Sequence, residues 1–203
     1  MTQRHHPAAS LLILASASPR RRELLQQAGV AFTVIPSNAA ENVLPGEAPP
    51  DYALRVAETK AREVAKLHPG SWVIGADTIV VIDTEILGKP RDHSDGQRML
   101  RLLSGRIHAV MTAFVLINRN GQTETRQVVT TTVTFKSLSD AQIQEYLNTG
   151  EPFDKAGAYA VQGIGAALVE RVEGSYSNVV GLPIDEVMAA LRAAGVNTTT
   201  EQL

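Results

Sequence analysis

The sequence predicts a mixed α/β fold. Segments with helical spacing alternate with short runs of β-branched residues, which is the pattern of helices packed on a sheet. The dipeptide Asn120-Gly121 separates two strand-like runs, 108–118 and 123–135, and strongly favours a tight hairpin. Because a hairpin pairs antiparallel strands, the predicted sheet is mixed rather than purely parallel.

The composition is that of an ordinary globular protein, with 44% hydrophobic and 20% charged residues among 203. Cysteine is absent, which excludes disulfides and a cysteine nucleophile and agrees with a cytoplasmic location. The net charge of −2 provides no general attraction to a nucleic-acid polymer or a membrane, so any basic patch is local and suits a small anion. We find no repeat or clear linker, and we expect one domain over 11–195 between flexible tails at 1–10 and 196–203.

The N-terminal part predicts a strand, a helix and a second strand. Residues 11–15 are apolar and favour a short buried strand. Ser18 is a good helix cap, Pro19 suits the first helical position, and Gly29 ends the helix. A second strand is expected over 31–35.

The middle of the chain predicts further helices around a buried strand. A Pro- and Gly-rich loop over 38–50 leads into a helix over 51–67, and the apolar, β-branched run 71–82 is typical of a strand buried on both faces. We expect a turn at 87–90 and a helix over 95–104.

The C-terminal third predicts two helices separated by a β-like segment. Ser139 is placed to cap a helix that ends at Asn148, and 158–172 is expected to be β-like despite its glycines. A last helix is predicted between Pro183 and Gly195.

Three arginines occupy the first turn of the first predicted helix. Cations are mildly unfavourable there, by about 0.3–1 kcal/mol each at exposed positions, because unpaired N–H groups give a helix N-terminus partial positive charge. A bound anion would remove this conflict, since Arg20, Arg21 and Arg22 with Ser16 and Ser18 would then form a phosphate cradle. The alternative is a solvated helix face.

Lys60 interrupts an apolar stripe on the predicted second helix. Ala53, Ala57, Lys60, Val64 and Leu67 follow helical spacing along one face. The lysine either extends along the surface to reach water or projects into a cleft and neutralises a phosphate. Spacing alone does not decide between the two.

Asp77 lies inside the buried-strand segment, where an unpaired carboxylate is costly. Gly75 and Ala76 precede it and remove side-chain bulk, which we interpret as space for a ligand or metal beside the strand. Such aspartates hold Mg²⁺ or act as bases. The alternative is a structural carboxylate held by backbone amides.

The segment 154–165 is rich in glycine, and Lys155 lies near its start. The pair Gly163 and Gly165 would let backbone approach a ligand, but a hairpin with tight turns explains it equally well. Lys89, held between Gly88 and Pro90, adds with Lys155 to the positive charge expected around a triphosphate.

Several short motifs resemble those of Maf proteins, in order and over nearly the whole chain. They are Leu14-Ala-Ser-Ala-Ser-Pro-Arg-Arg21, Gly75-Ala-Asp-Thr78, Leu87-Gly-Lys-Pro90, Asp154-Lys-Ala-Gly-Ala-Tyr159, Gln162-Gly163 and Gly174-Ser-Tyr176 to Val180-Gly-Leu-Pro183. The resemblance implies an elongated mixed sheet flanked by helices, with two lobes around a cleft, as in Maf and inosine-triphosphatase-like proteins. It also implies a nucleotide pyrophosphatase that uses Mg²⁺ or a similar ion such as Mn²⁺, and it makes a homodimer plausible.

The resemblance also implies residue roles. The family's proton acceptor matches Asp77, and its specificity positions match Arg20, Thr78 and Gln162, a set that resembles the dTTP/UTP-cleaving subgroup. The family's acidic pair after the second strand is reduced here to Glu41.

We therefore predict hydrolysis of dTTP and UTP, including modified pyrimidine nucleotides, to the monophosphate and pyrophosphate. The residues expected to be catalytic are Asp77, Lys60, Lys89 and Arg21. Those expected to bind substrate are Ser16, Ser18, Arg20, Thr78, Lys155 and Gln162. Glu41 and Asp77 are the expected metal ligands. The alternatives are a nucleotide-binding regulator of cell division without hydrolysis, and the same chemistry on a modified purine nucleotide.

Overall fold

A computed structural model describes residues 11–118 and 120–196. This part of the chain contains one mixed sheet, helices on both of its faces and three short 3-10 turns. The strands are β1 (Leu12–Leu14), β2 (Thr33–Val34), β3 (Trp72–Ile82), β4 (Glu85–Leu87), β5 (Ile107–Ile117), β6 (Thr123–Phe135) and β7 (Val169–Glu173). The helices are α1 (Pro19–Gln27), α2 (Pro49–Leu67), α3 (His93–Leu103), α4 (Asp140–Asn148), α5 (Tyr176–Val180) and α6 (Ile184–Ala193). The 3-10 turns are Glu151–Asp154, Ala156–Ala158 and Gly163–Leu168.

The sheet has the order β2-β1-β3-β5-β6-β7, and β4 pairs with β3. β1 is parallel to both of its neighbours, whereas the remaining pairs are antiparallel. The predicted mixed sheet and the hairpin between β5 and β6 are therefore confirmed.

One edge of β3 is only partly paired. β1 pairs with Trp72–Ile74 of β3, and β4 pairs with Val80–Ile82. Both lie on the same edge of β3, since β5 occupies the other edge. Within the described ranges no strand pairs with 75–79 on this side. The gap opens where β1 ends, and the carboxyl ends of strands are where open α/β sheets commonly bind ligands.

The apolar core forms two lobes on either side of this gap. In one lobe, α2 packs on one face of β1, β3 and β5, and α1 and α6 pack on the opposite face. In the other lobe, α3 and α4 pack around the end of β3 and the start of β5. The two lobes around a cleft match the expected fold.

Close packing between α2 and β3 sets the position of the site. A Cβ added at Gly75 would lie 2.4 Å from the Ala57 carbonyl oxygen and 2.8 Å from Ala61 Cβ. The interpretation that Gly75 leaves space for a ligand is wrong, because α2 fills that space. The small side chains Ala53, Ala57 and Ala61 are all fully buried against the sheet, so interior packing density is reached through backbone proximity rather than large side chains.

The predicted β-like segment 158–172 is also wrong over most of its length. Gly163–Leu168 is a 3-10 turn, and only Val169–Glu173 joins the sheet. Gly157 and Ala158 have φ values of 69° and 59°, in the left-handed region that no strand uses. Two short elements, β4 and α5, were not predicted, because three and five residues carry too little periodicity to identify.

Most element boundaries agree with the predictions. Ser18 accepts a hydrogen bond from the Arg21 amide as the N-cap of α1, and Ser139 forms a capping box with Gln142 at α4. The tails predicted at 1–10 and 196–203 lie outside the described residues except for Val196, which is buried. No helix in the described ranges is long and apolar enough to cross a membrane.

Candidate active site

A cavity of about 450 Å³ lies at the gap in the β3 edge, between the two lobes. All eleven residues expected in the site line it. They are Ser16, Ser18, Arg20, Arg21, Glu41, Lys60, Asp77, Thr78, Lys89, Lys155 and Gln162. The lining carries five cationic side chains against three carboxylates, counting Asp154, so the local charge favours a polyanion although the whole chain is slightly acidic.

Lys60 and Asp77 form a buried ion pair at the centre of the cavity wall. Lys60 Nζ lies 2.8 Å from Asp77 Oδ1, and the two residues are 7% and 6% exposed. The same ammonium lies 2.6 Å from Glu41 Oε1, which approaches from the loop after β2. Lys60 is therefore turned into the cleft rather than extended to the surface, whereas Leu67, assigned to the same apolar stripe, is 71% exposed.

The two carboxylates have different electrostatic environments. Burial raises the pKa of Asp77, and the charges of Lys60 and Arg21 oppose this rise without cancelling it. Burial also acts on Glu41, but its hydrogen bond to Lys60 and the nearby cations keep the pKa of Glu41 below its usual value. Of the two carboxylates, Asp77 is thus the stronger base and the better suited to accept a proton.

Arg21 is fixed by three protein acceptors. Its Nε donates to the Gly181 carbonyl at 2.7 Å, Nη1 to Ser16 Oγ at 3.0 Å and Nη2 to Thr78 Oγ1 at 3.0 Å. A guanidinium has five N–H groups, so two donors remain for a ligand. Burial lowers the pKa of Arg21, and Asp77 and Glu41 oppose that effect.

Thr78 belongs to the same hydrogen-bonded framework. Besides the bond from Arg21, its hydroxyl lies 3.0 Å from Thr112 Oγ1 and 3.3 Å from the Gly181 carbonyl. Thr112 donates its own proton to the Asn178 carbonyl, so Thr78 donates toward the protein. The contribution of Thr78 to reading the base stays a prediction.

The other arginines of the first turn divide between the cavity and solvent. Arg20 lines the cavity and pairs with Asp154 at 3.4 Å, whereas Arg22 is exposed and lies outside the cavity lining. Lys155 contacts the same Asp154 carboxylate at 2.6 Å and donates to the Glu151 carbonyl at 2.7 Å. Of the three arginines in the predicted anion cradle, Arg20 and Arg21 therefore face the cavity, whereas Arg22 fits the solvated alternative.

Lys89 and Gln162 line the cavity with free polar groups. Neither side chain makes a hydrogen bond or ion pair to any residue in 11–118 or 120–196. Both are exposed, so they are available to a bound molecule without first breaking an internal contact.

Two further residues support the site and were not predicted. Tyr52 OH donates to the Glu41 carbonyl at 3.0 Å, which fixes the loop that carries this carboxylate, and burial raises the pKa of Tyr52 to about 12. Asp154 holds both Arg20 and Lys155. Tyr52 carries no local signal, because an aromatic residue on an apolar helix face is common without any function. Asp154 opens one of the quoted motifs, but an acid beside a lysine is also common, and the sequence alone assigns it no role.

The donor set is compatible with a magnesium ion. No group of three or more His, Cys, Asp or Glu side chains suited to hold a metal occurs in the described part of the chain. Glu41 and Asp77 nevertheless converge on one ammonium, and each keeps a second carboxylate oxygen. Mg²⁺ commonly takes one or two carboxylates together with substrate phosphates and water, so this pair fits that mode of binding.

Together, the mixed sheet and the basic cleft beside a buried carboxylate define an α/β class of protein whose site suits a polyphosphate. The chain belongs to the family described as Maf-like protein, which it matches over 11–194.

Curated relatives cover nearly the whole chain. It is 57% identical over 190 residues to a protein of Anaeromyxobacter dehalogenans (strain 2CP-1) named dTTP/UTP pyrophosphatase, covering 92% of this chain and 95% of that one. Proteins with the same name from Geobacter sp. (strain M21) and Myxococcus xanthus are each 53% identical, covering 92% of this chain and 96% and 94% of theirs. Among solved structures, a HAM1 protein from Coxiella burnetii superposes with a TM-score of 0.52 at 15% identity, covering 91% of this chain and 99% of that one. That likeness supports the fold.

Proposed function

We propose that this protein is a nucleoside-triphosphate pyrophosphatase that hydrolyses dTTP and UTP to the monophosphate and pyrophosphate. The observation that carries the proposal is the meeting of Arg20 and Arg21, after β1, with Asp77 on β3 across one cavity. Relatives that are more than half identical and bear the name dTTP/UTP pyrophosphatase support the reaction and the substrates.

In the proposed reaction a water molecule attacks the α-phosphorus. A new P–O bond forms to the water oxygen, the bond to the bridging oxygen of the β-phosphate breaks, and pyrophosphate leaves with that oxygen. The water proton passes to the Asp77 carboxylate, which Lys60 holds in place through Oδ1. Burial raises the pKa of Asp77 and so strengthens it as a base.

The cationic residues act on the negative charge of the triphosphate. Arg20, Lys89 and the two free donors of Arg21 would bind phosphate oxygens, with Lys155 beside them, and Ser16 and Ser18 line the same turn. Lys60 would hold Asp77 in place and neutralise charge that develops on the leaving group. Fixed donors of this kind stabilise a phosphoryl-transfer transition state without reorganising during the reaction.

We propose that Glu41 and Asp77 hold a divalent ion, Mg²⁺ or Mn²⁺, together with the substrate. When bound, such an ion would neutralise phosphate charge and make the α-phosphorus more electrophilic. Glu41 would contribute its negative charge across the whole neutral range, because the hydrogen bond and charge of Lys60 overcome burial and lower its pKa.

Gln162 is the proposed base-reading residue, with Arg20 and Thr78 alongside. Its amide has both a donor and an acceptor, which matches the adjacent carbonyl and N–H groups of uracil and thymine. Modified pyrimidine nucleotides share this edge and are included in the proposed substrate class. A homodimer, a cytoplasmic location and the lack of a nucleic-acid partner stay predictions.

A panel of nucleotides assayed for pyrophosphate and orthophosphate tests the proposal. dTTP, UTP, dCTP, dATP and dGTP are incubated with the purified chain and Mg²⁺, and parallel reactions contain EDTA. We expect pyrophosphate from dTTP and UTP, little orthophosphate, and no product with EDTA. Tight binding of dTTP without any release of pyrophosphate would contradict hydrolysis and favour a nucleotide-binding regulator, and a preference for purines would contradict the assigned substrates.

A further inference from the structure

Residues 160–165 form a segment that pairs with no strand of the sheet, and its first three residues belong to the cavity wall. Ala160, Val161 and Gln162 line the cavity, and Gln162 is extended with φ −113° and ψ 168°. Backbone amide and carbonyl groups of this segment form hydrogen bonds with side chains instead of with a neighbouring strand. Tyr146 OH accepts from the Ala160 amide at 3.2 Å, and Tyr176 OH donates to the Val161 carbonyl at 3.2 Å.

Glu151 makes the strongest of these attachments. Its Oε2 accepts from the Ile164 amide at 3.0 Å, and its Oε1 accepts from the Gly165 amide at 2.9 Å and from Tyr146 OH at 2.9 Å. Hydrogen bonds to an ionised acceptor are about twice as strong as neutral ones. Although burial acts in the opposite direction, these bonds keep the pKa of Glu151 below its usual value, so the carboxylate is charged at neutral pH.

The two glycines of this segment make room for the same contacts. A Cβ at Gly163 would lie 2.7 Å from Glu151 Oε2, and Gly163 also has a φ of 67°. A Cβ at Gly165 would lie 2.5 Å from Tyr146 OH and 2.6 Å from the Ala160 carbonyl oxygen. The glycine pair therefore lets backbone approach a protein carboxylate and a tyrosine. This differs from both alternatives that the sequence left open, a ligand contact and a hairpin turn.

We propose that Glu151, acting through Tyr146 and the 160–165 backbone, is a positioning residue for nucleotide selection. This inference rests on the proposed function and on Gln162 as the residue that meets the base. A glutamine amide on a loose segment can shift and rotate to accept several bases. The same amide on a fixed backbone leaves the wrong base with unpaired groups, which is the condition for strong discrimination.

The test compares Glu151→Gln with Glu145→Gln, which makes the same chemical change on an exposed residue of α4. In Glu151→Gln the neutral amide turns its NH₂ group toward one of the donors that the carboxylate bound. One hydrogen bond to the segment is then lost, and the others weaken because the acceptor is no longer charged. We expect the KM for dTTP to rise about tenfold with kcat little changed, because the segment that presents Gln162 is then held less firmly. A hydrogen bond to a charged group contributes roughly a factor of ten or more to such an equilibrium. The ratio of kcat/KM for dTTP to that for dCTP and dGTP should fall toward the ratio of Gln162→Ala. Glu145→Gln should keep the wild-type ratio.

Tyr146→Phe is the second variant, because it removes one hydroxyl that bonds both Glu151 and Ala160 while keeping the ring in the core. We expect a smaller change in the same ratio. Folded Glu151→Gln with the wild-type nucleotide ratio would overturn the inference, and if that variant does not fold, an unchanged ratio in Tyr146→Phe would overturn it.

The outcomes separate the inference from the proposed function. If the wild-type chain releases no pyrophosphate from any nucleotide, the proposed function fails, and the Kd values for dTTP and dCTP then decide the inference. An equal ratio of the Kd for dCTP to the Kd for dTTP in Glu151→Gln and Glu145→Gln would contradict positioning by Glu151. A lower value of this ratio in Glu151→Gln alone, which means weaker discrimination in favour of dTTP, would support it.

Discussion

Lys60 Nζ lies 2.8 Å from Asp77 Oδ1, and less than one tenth of the surface of each residue is exposed to solvent. A buried pair of this kind gains little net stability over an apolar pair, because both charges lose their hydration. It is strongly destabilising to break, because one charge then stays buried without a partner. The pair is therefore better explained by the chemistry of the cavity than by stability.

Lys60→Met should shift the pH dependence of the enzyme. Burial raises the pKa of Asp77 and Lys60 opposes that rise, so removing the ammonium raises this pKa further. Because the proposed base must be ionised, kcat/KM should fall at a higher pH in the variant than in the wild type as the solution is acidified. The acid limb of the pH–rate profile measures this shift.

Lys66→Met is the matched control, since Lys66 is an exposed residue of the same helix. Its profile should coincide with that of the wild type. An acid limb that stays in place in Lys60→Met would show that the titrating group is not Asp77.

Gly75→Ala should impair stability and turnover together. The added methyl would meet the Ala57 carbonyl at 2.4 Å, so α2 must move away from β3 and take Lys60 with it. Overpacking of this kind costs about 1–3 kcal/mol of unfolding free energy. Urea unfolding and dTTP turnover measure the two effects.

Gly88→Ala is the stability control, because nothing lies within 4 Å of its added Cβ. Unchanged stability in Gly75→Ala would contradict the close contact of α2 with β3.

His108 should make the fold less stable in mild acid. Its Nε2 lies 2.7 Å from Tyr159 OH, its ring packs edge-on against Phe135, and burial lowers its pKa to about 4. The unfolded chain binds this proton near pH 6.5, so the stabilising contribution is fully present above that pH. It is lost progressively as pH falls from 6.5 toward 4.

His108→Gln removes this titration and keeps a polar side chain next to Tyr159. Between pH 7 and pH 5 the wild type should lose about 2 kcal/mol more unfolding free energy than the variant does. Urea denaturation at the two pH values gives the comparison. An equal loss in both proteins would show that His108 titrates in the folded state much as it does in the unfolded chain.

Local signals in the sequence predicted most of the fold. The cap at Ser18, the dipeptide Asn120-Gly121 and the long apolar run of β3 each act over a few residues, and all three are confirmed. The segment at 160–165 could not be predicted, because Glu151 and Tyr146 hold it through contacts with no periodic pattern.

In the candidate site, too, local signals could be predicted from the sequence, whereas contacts between distant residues could not. Asp77 and Arg21 stood out because each is costly where it lies unless something compensates for it. Gly75 was misinterpreted because its neighbour, Ala57, belongs to the helix before it in the chain. Tyr52 and Asp154 act on other site residues rather than facing a ligand alone, and only coordinates show such pairings.

Asp77→Asn tests whether Asp77 accepts the proton of the attacking water. The change keeps the shape of the side chain and removes the base, while Asp185→Asn, on an exposed residue at the start of α6, makes the same change away from the cavity. Pyrophosphate release from saturating dTTP should fall by about 10²–10⁴ in Asp77→Asn and stay at the wild-type rate in Asp185→Asn. Release by folded Asp77→Asn at a rate close to that of the wild type would show that Asp77 is not the proton acceptor.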